Sequence, residues 1–252
     1  MCVTCGCEQA ATSRTAVRPH PHDHPHPATE TITLEQKVLA KNDLRAERNR
    51  DWLAGRDILA INVMSSPGAG KTTLLERTIR DTAARRPVAV IEGDQETRLD
   101  ADRIRRTGCA AIQVNTGAGC HLDADMVGDA AIALNPAAGS MLVIENVGNL
   151  VCPALFDLGE GGKVVIVSVT EGTDKPLKYP YMFAAADLII VNKIDLLPYV
   201  DFDLDVCRKH ASAVNPKADL LAVSATTGAN LDAWYGWLGE RGGDARAPAA
   251  GH

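Results

Sequence analysis

The chain has 252 residues, 46% hydrophobic and only 4% aromatic, with 26 Lys+Arg against 32 Asp+Glu and a net charge of -6. That length suits one α/β domain carrying short arms. The acidic balance excludes a broad electrostatic grip on nucleic acid or anionic lipid as the main activity, and no apolar run approaches the roughly 18–20 residues that span a bilayer.

The opening Met1-Cys2-Val3-Thr4-Cys5 lacks the basic segment and apolar core of a secretory signal, so a cytoplasmic location is expected. In that reducing setting the cysteines read as thiols or metal ligands before they read as disulfides. Cys2, Cys5 and Cys7 cluster beside the amino terminus. Three thiolates completed by a terminal amine or a histidine suit Ni(II), Zn(II) or copper, and a planar arrangement favours Ni(II). His20-Pro21-His22-Asp23-His24-Pro25-His26-Pro27 follows. It reads equally as a weak metal buffer or as a solvated linker, because alternating proline disfavours helix. Residues 1–30 are thus expected to form a flexible Cys/His-rich metal-binding arm, 31–240 a nucleotide domain with an N-terminal helix, and 241–252 a disordered Gly/Ala/Pro-rich tail.

Thr33-Leu34-Glu35-Gln36 resembles a capping box and predicts a charged helix running to about Gly55. Seven short apolar runs come next: 58–64, 88–92, 110–114, 141–144, 164–169, 188–191 and 220–223, with helical patterns between them. Continuous rather than alternating apolar runs predict strands covered on both faces. Strand and helix in alternation predict a mostly parallel sheet flanked by helices.

The first run leads into Ser65-Ser66-Pro67-Gly68-Ala69-Gly70-Lys71-Thr72-Thr73 and then a helix. This is a P-loop in its required strand–turn–helix context, although Ser65 stands where the first glycine is usual. Small residues let backbone N–H groups point at phosphate oxygens. Lys71 serves the β- and γ-phosphates, and the Thr72 hydroxyl takes a Mg²⁺ position. Two strand-end acids follow, in Ile91-Glu92-Gly93-Asp94 and in Ile144-Glu145-Asn146-Val147-Gly148. Asp94 and Glu145 are candidates for Mg²⁺, and the Gly148 N–H for the γ-phosphate. With Lys71 and Thr72 they make up the candidate catalytic set. No glutamine or arginine stands out to position the attacking water, so slow intrinsic hydrolysis is expected, and Lys175 is a candidate for a trans contact.

Asn192-Lys193-Ile194-Asp195 at a strand end favours guanine, because a carboxylate such as Asp195 can accept from both N1–H and the 2-amino group. Ser224-Ala225-Thr226, after a later strand, suits the loop that meets guanine O6. Together, downstream of a P-loop, these favour GTP over ATP. Cys120-His121 and Cys152 should emerge at the same sheet edge and share a transition-metal ion, with Asp123 and Asp125 able to assist. Three protein ligands leave a tetrahedral ion one short, which suggests water or a bridge across a dimer. Cys109 and Cys207 read as small buried hydrophobes.

Taken in order, Cys-x-x-Cys-Gly-Cys, Ser-Ser-Pro-Gly-Ala-Gly-Lys-Thr-Thr, Gly-Asp-Gln-Glu-Thr, Thr-Gly-Ala-Gly-Cys-His-Leu-Asp-Ala, Glu-Asn-Val-Gly-Asn-Leu-Val-Cys-Pro, Asp-Lys-Pro-Leu-Lys-Tyr-Pro and Asn-Lys-Ile-Asp resemble the hydrogenase nickel-incorporation GTPases, the HypB family. The resemblance implies a SIMIBI-class GTPase that dimerises with nucleotide. It also implies delivery of nickel to the [NiFe]-hydrogenase large subunit precursor together with a HypA-type metallochaperone. By it, Cys120, His121 and Cys152 hold nickel or zinc, and Cys2, Cys5 and Cys7 form an N-terminal nickel site. The nearest competitor is the urease accessory GTPase, against which the thiol cluster and the Cys-His pair count. A passive metal store with a vestigial nucleotide site conflicts with the intact Lys71, Thr72 and Asp195. A small-molecule P-loop kinase would leave the guanine motifs without purpose.

Overall fold

A computed structural model describes residues 27–94, 99–117 and 119–243. The Cys2/Cys5/Cys7 cluster, the histidine run at 20–26 and residues 244–252 lie outside the described residues. Seven strands form one parallel sheet: β1 (Leu59–Ser65), β2 (Val88–Asp94), β3 (Ala110–Asn115), β4 (Met141–Gly148), β5 (Gly162–Ser168), β6 (Leu188–Asn192) and β7 (Asp219–Ala222). Their spatial order is β3-β2-β4-β1-β5-β6-β7, with every pairing parallel. Each predicted apolar run is a strand, and their continuous character follows from cover on both sides.

One face carries α2 (Lys71–Thr82), α3 (Leu99–Arg105) and α8 (Leu231–Arg241). Leu74, Leu75, Ile104, Trp234 and Leu238 from these helices pack there on Ile61, Val63, Val90, Val143 and Ile166. The opposite face carries α1 (Pro27–Ala54) and α4 (Ala124–Leu134), then, beyond the short α5 (Lys175–Lys178), α6 (Pro180–Ala184) and α7 (Leu204–Val214). Leu53, Leu122, Val127 and Ala131 cover Ala60, Ile91, Leu142 and Ile144, while Phe183 and Cys207 cover Val165 and Val191. Burying each such Leu, Ile or Val contributes about 1.5–3 kcal/mol, which makes this two-sided cover the main source of stability.

Two boundaries differ from expectation. Helix α1 begins at Pro27, six residues before Thr33, so the Thr33–Gln36 pattern lies inside the helix. Proline is tolerated at a first helical position because its missing N–H would have had no intrahelical partner. Strand β4 runs on to Gly148: the buried Glu145 pairs with Val63 and, past a register shift, Gly148 pairs with Ser65. Among the described residues no helix is long and apolar enough to cross a membrane.

Candidate functional site

The sheet's C-terminal edge gathers the motifs. The P-loop leaves β1 at Ser65, which lies in register with Gly148 of β4. Gly70 caps α2 at φ 94°, a left-handed conformation that L side chains rarely adopt. A Cβ there would stand 2.6 Å from the Asn192 amide nitrogen, so only glycine fits. The Lys71 ammonium donates to the Ser65 hydroxyl at 2.9 Å. Burial lowers its pKa, against the attraction of Glu145. Serine in place of the usual first glycine is therefore a polar partner for the lysine.

The Thr72 hydroxyl donates to Glu145 at 2.8 Å. Glu145 pairs in register with Glu92 on the neighbouring β2, and each keeps a buried carboxylate oxygen, Oε2, with no hydrogen-bond partner. Burial, then the Glu145 charge, pushes Glu92 up to about 8, and burial pushes Glu145 up to about 6 against the pull of Lys71. Two adjacent buried carboxylates with orphaned oxygens beside a P-loop threonine fit a hard divalent cation, which takes oxygen ligands. Asp94, the acid nominated by the sequence, lies two residues beyond Glu92 on the same strand. Asp94 ends β2, and its carbonyl accepts from the Thr116 N–H at 3.1 Å. The signal that would have found Glu92 is strand register, which a single sequence does not print.

In the magnesium-free protein these carboxyls make stability fall with pH. Between about pH 4.5 and about 8 the folded chain holds on Glu92 a proton that the unfolded chain has released, so raising the pH favours unfolding. Melting in chelator is expected to show a midpoint that drops from pH 5 to pH 8, and Glu92→Gln should flatten that drop. Parallel pH curves for the two proteins would contradict the assignment.

On the far side of the P-loop, Asn192 is 1% exposed and acts as a clamp. Its amide donates to the Ala69 carbonyl at 3.0 Å, and its oxygen accepts from the Ala225 N–H at 3.1 Å. Lys193 adopts φ 63° and donates to the Gly68 carbonyl at 2.6 Å. A left-handed lysine costs roughly 1–2 kcal/mol, a strain expected where position matters more than stability. Asp195 accepts from the Ser224 hydroxyl at 2.5 Å, and Thr226 is exposed beside it. Gly68, Ala69, Gly70, Lys71, Thr72 and Thr73 are thereby tied to Asn192, Lys193, Asp195, Ser224, Ala225 and Thr226 as one continuous surface. Asp195→Asn is expected to shift nucleotide preference from GTP toward xanthosine triphosphate, whose O2 accepts where the guanine amino group donates. Competition binding that shows unchanged preference would remove Asp195 from the base-reading role.

Cys120, His121 and Cys152 come together, with their ligand atoms all within 4.8 Å of one another. The two sulfurs are 2.6 Å apart, and Cys120 Sγ is 3.6 Å from His121 Nδ1. Both cysteines are half-buried free thiols, and the contact with Cys152 raises the Cys120 pKa. Burial lowers the His121 pKa and favours the neutral imidazole that binds metals. Its ring stacks on Phe156, with centroids 3.9 Å apart. Two thiols and an imidazole form a soft donor set suited to nickel or zinc.

Asp123 and Asp125 lie outside the ligand cluster. Asp123 caps α4 by accepting from the Met126 N–H at 2.8 Å, and Asp125 pairs with Arg45 at 2.8 Å and Lys41 at 3.5 Å. Cys109 and Cys207 are apart from the cluster, their thiols pushed up to about 11 by burial. Helix α1 contributes contacts that no motif announces. Asn42 joins the Ala124 N–H to the Asp157 carbonyl, at 2.9 and 2.8 Å. Asn49 donates to the Ala124 and Leu158 carbonyls at 2.8 and 3.0 Å. These two asparagines hold the segment after His121 against the segment after Cys152.

A family model described as the CobW/HypB/UreG nucleotide-binding domain matches residues 59–222. The hydrogenase maturation factor HypB of Rhizobium leguminosarum bv. viciae is 59% identical over 207 residues, covering 82% of this chain and 69% of its own. That of Escherichia coli (strain K12) is 57% identical over 207 residues, covering 82% and 71%. The crystal structure of HypB from Helicobacter pylori in complex with nickel superposes with a TM-score of 0.76 at 36% identity, over 84% of this chain and all of that one. HypB from Archaeoglobus fulgidus gives 0.75 at 40% identity, over 79% and 98%. A family match over most of the chain, and a majority of aligned residues shared with proteins of that name, place the chain in the HypB family of hydrogenase maturation factors, P-loop GTPases of the SIMIBI class.

Proposed function

We propose that this GTPase carries nickel as cargo to the [NiFe]-hydrogenase large subunit precursor, and that its nucleotide state sets how tightly the internal Cys120/His121/Cys152 cluster holds the ion. One observation carries the reading: Gly148, which would sense the γ-phosphate, lies in register with P-loop Ser65, four residues before Cys152 on the same chain segment. A Cβ on Gly148 would lie 3.2 Å from the Pro67 backbone, so cradle and segment are already in contact.

In hydrolysis, water attacks the γ-phosphorus and the bond to the β–γ bridging oxygen breaks, leaving GDP and phosphate. Lys71 would neutralise charge on the β- and γ-oxygens, the Gly148 N–H would donate to a γ-oxygen, and Asn192, Lys193 and Asp195 would fix the base. Thr72 with Glu145 and Glu92, and Asp94 at the end of the same strand as Glu92, would hold Mg²⁺, which supplies charge neutralisation for the phosphates. Slow turnover suits the cations nearby. Arg103 is occupied by Glu76, Asp100 and Thr73, and Lys175 pairs with Glu171 at 3.2 Å. A trans role for Lys175 would first have to break that pair.

The three-ligand cluster supports a metal- or nucleotide-dependent homodimer that completes the coordination, and exchange with a HypA-type metallochaperone at the open position. Zinc is a second ion that the same donors accept. The thiols of Cys2, Cys5 and Cys7 are proposed as a separate nickel site, on residues 1–30 as a metal-binding arm. Phosphate release by the full chain, with and without Ni(II), tests the reading. Filling the internal cluster is expected to change the rate, and Cys120→Ala should abolish the change while binding GTP normally. The same nickel response in both proteins would refute it.

A further inference from the structure

Strand β4 ends in a segment that serves two masters by simple alternation. Glu145 shares the sheet face of Val143 and α2, where the phosphate cradle lies, while Asn146 shares the face of Ile144, under α1 and α4. Asn146 is 1% exposed. Its side-chain oxygen accepts from the Leu122 N–H at 3.1 Å and from the Val147 N–H at 3.0 Å, and its amide donates to Asn62 at 3.3 Å. Leu122 follows His121 directly and is itself fully buried, seated over Gly93, where a Cβ would come within 2.7 Å of its side chain. The turn carrying Cys120 and His121 is therefore fastened at Leu122 to β4 beside Glu145 and to β2 between Glu92 and Asp94.

Asn149 repeats the arrangement three residues on. Its oxygen accepts from the Val151 N–H at 2.8 Å, which sets the turn into Cys152, and its amide reaches the Cys120 carbonyl at 3.4 Å. Glu145 accepts from Thr72 of the P-loop, and past a register shift in the strand Gly148 lies against Pro67. Asn146 and Asn149, each the next residue along, hold one ligand-bearing turn apiece. The linkage is short, made of hydrogen bonds between the Asn146 and Asn149 side chains and the backbone of the two turns, with Gly148 between the two asparagines.

We propose that Asn146 and Asn149 are positioning residues through which nucleotide state is transmitted to the thiol–imidazole cluster. This rests on the reading above that the cluster binds nickel and responds to nucleotide. A coupling of this kind is a ratio of affinities between two states, typically about 5–150-fold where it exists. Ni(II) affinity is measured on the full chain loaded with GDP or with a non-hydrolysable GTP analogue, and the internal site is defined as the component that Cys120→Ala removes. The account expects a wild-type ratio different from one, and Asn149→Ala to shrink its departure from one by at least about threefold with GTP affinity unchanged. Asn149→Asp, which keeps the acceptor for Val151, should retain more of the ratio than alanine does. Asn149 is half-exposed, so this test does not depend on the buried Asn146 tolerating replacement. If Asn149→Ala lowers nickel affinity equally in both nucleotide states, the residue is only structural and the proposal fails. A wild-type ratio of one would overturn the coupling reading, and this inference with it.

Discussion

Replacing Lys71 with alanine is expected to lower GTP turnover by about a hundred- to a thousandfold, the usual cost of removing one preorganised charge from the site where negative charge accumulates. Lys71 is a half-buried cation that donates to Ser65 and is attracted by Glu145 and Glu92, so its pull on phosphate oxygens is only partly screened. Its removal also takes from Glu145 the stronger of the two cations, Lys71 and Arg103, that offset its charge. Single-turnover phosphate release separates this from loss of binding, and a melting curve separates it from loss of fold. Turnover within about tenfold of wild type would mean that the lysine is not where phosphoryl charge develops.

Cys152→Ala is expected to have the second largest effect, a loss of at least about a hundredfold in Ni(II) affinity at the internal cluster with GTP affinity preserved. Deleting one of three protein ligands leaves Cys120 and His121, two adjacent residues on one turn, to hold the ion. The neighbouring supports should survive. Pro153 is the buried residue of the short 3-10 turn Cys152–Leu155, and Asn149 fastens the Val151 backbone, which the substitution does not touch. The readout is metal competition against a chromophoric chelator. Unchanged affinity would place the internal site elsewhere.

Much of this was readable without coordinates because the deciding residues are contiguous. The P-loop, Asn192–Asp195 and Cys120-His121 each lie on one turn, and the continuous apolar runs announce a sheet covered on both faces. Even the meeting of Cys120 with Cys152 follows from strands that end on one edge. What stayed hidden depends on register and on long-range polar contacts. Glu92 matters because β2 and β4 align it with Glu145, 53 residues away, and no spacing rule encodes that. Asn42, Asn49, Asn146 and Asn149 look like ordinary polar residues until α1 and the two turns pack together. Asp123 and Asp125 show the opposite case. Acids beside a Cys-His pair suggest ligands, but the start of α4 needed a cap and the face of α1 offered Arg45 and Lys41.

A triphosphate and a transition-metal ion on neighbouring turns that move together must obey reciprocity. If GTP changes nickel affinity by some factor, nickel must change the affinity of the GTP analogue by the same factor. Titrating a fluorescent GTP analogue into the magnesium-loaded full chain, with the internal site filled by Ni(II) or emptied by Cys120→Ala, measures that factor from the nucleotide side. Coupled turns give two distinct dissociation constants whose ratio matches the one measured from the metal side. Identical constants would show that the two sites share an edge of the sheet and nothing else.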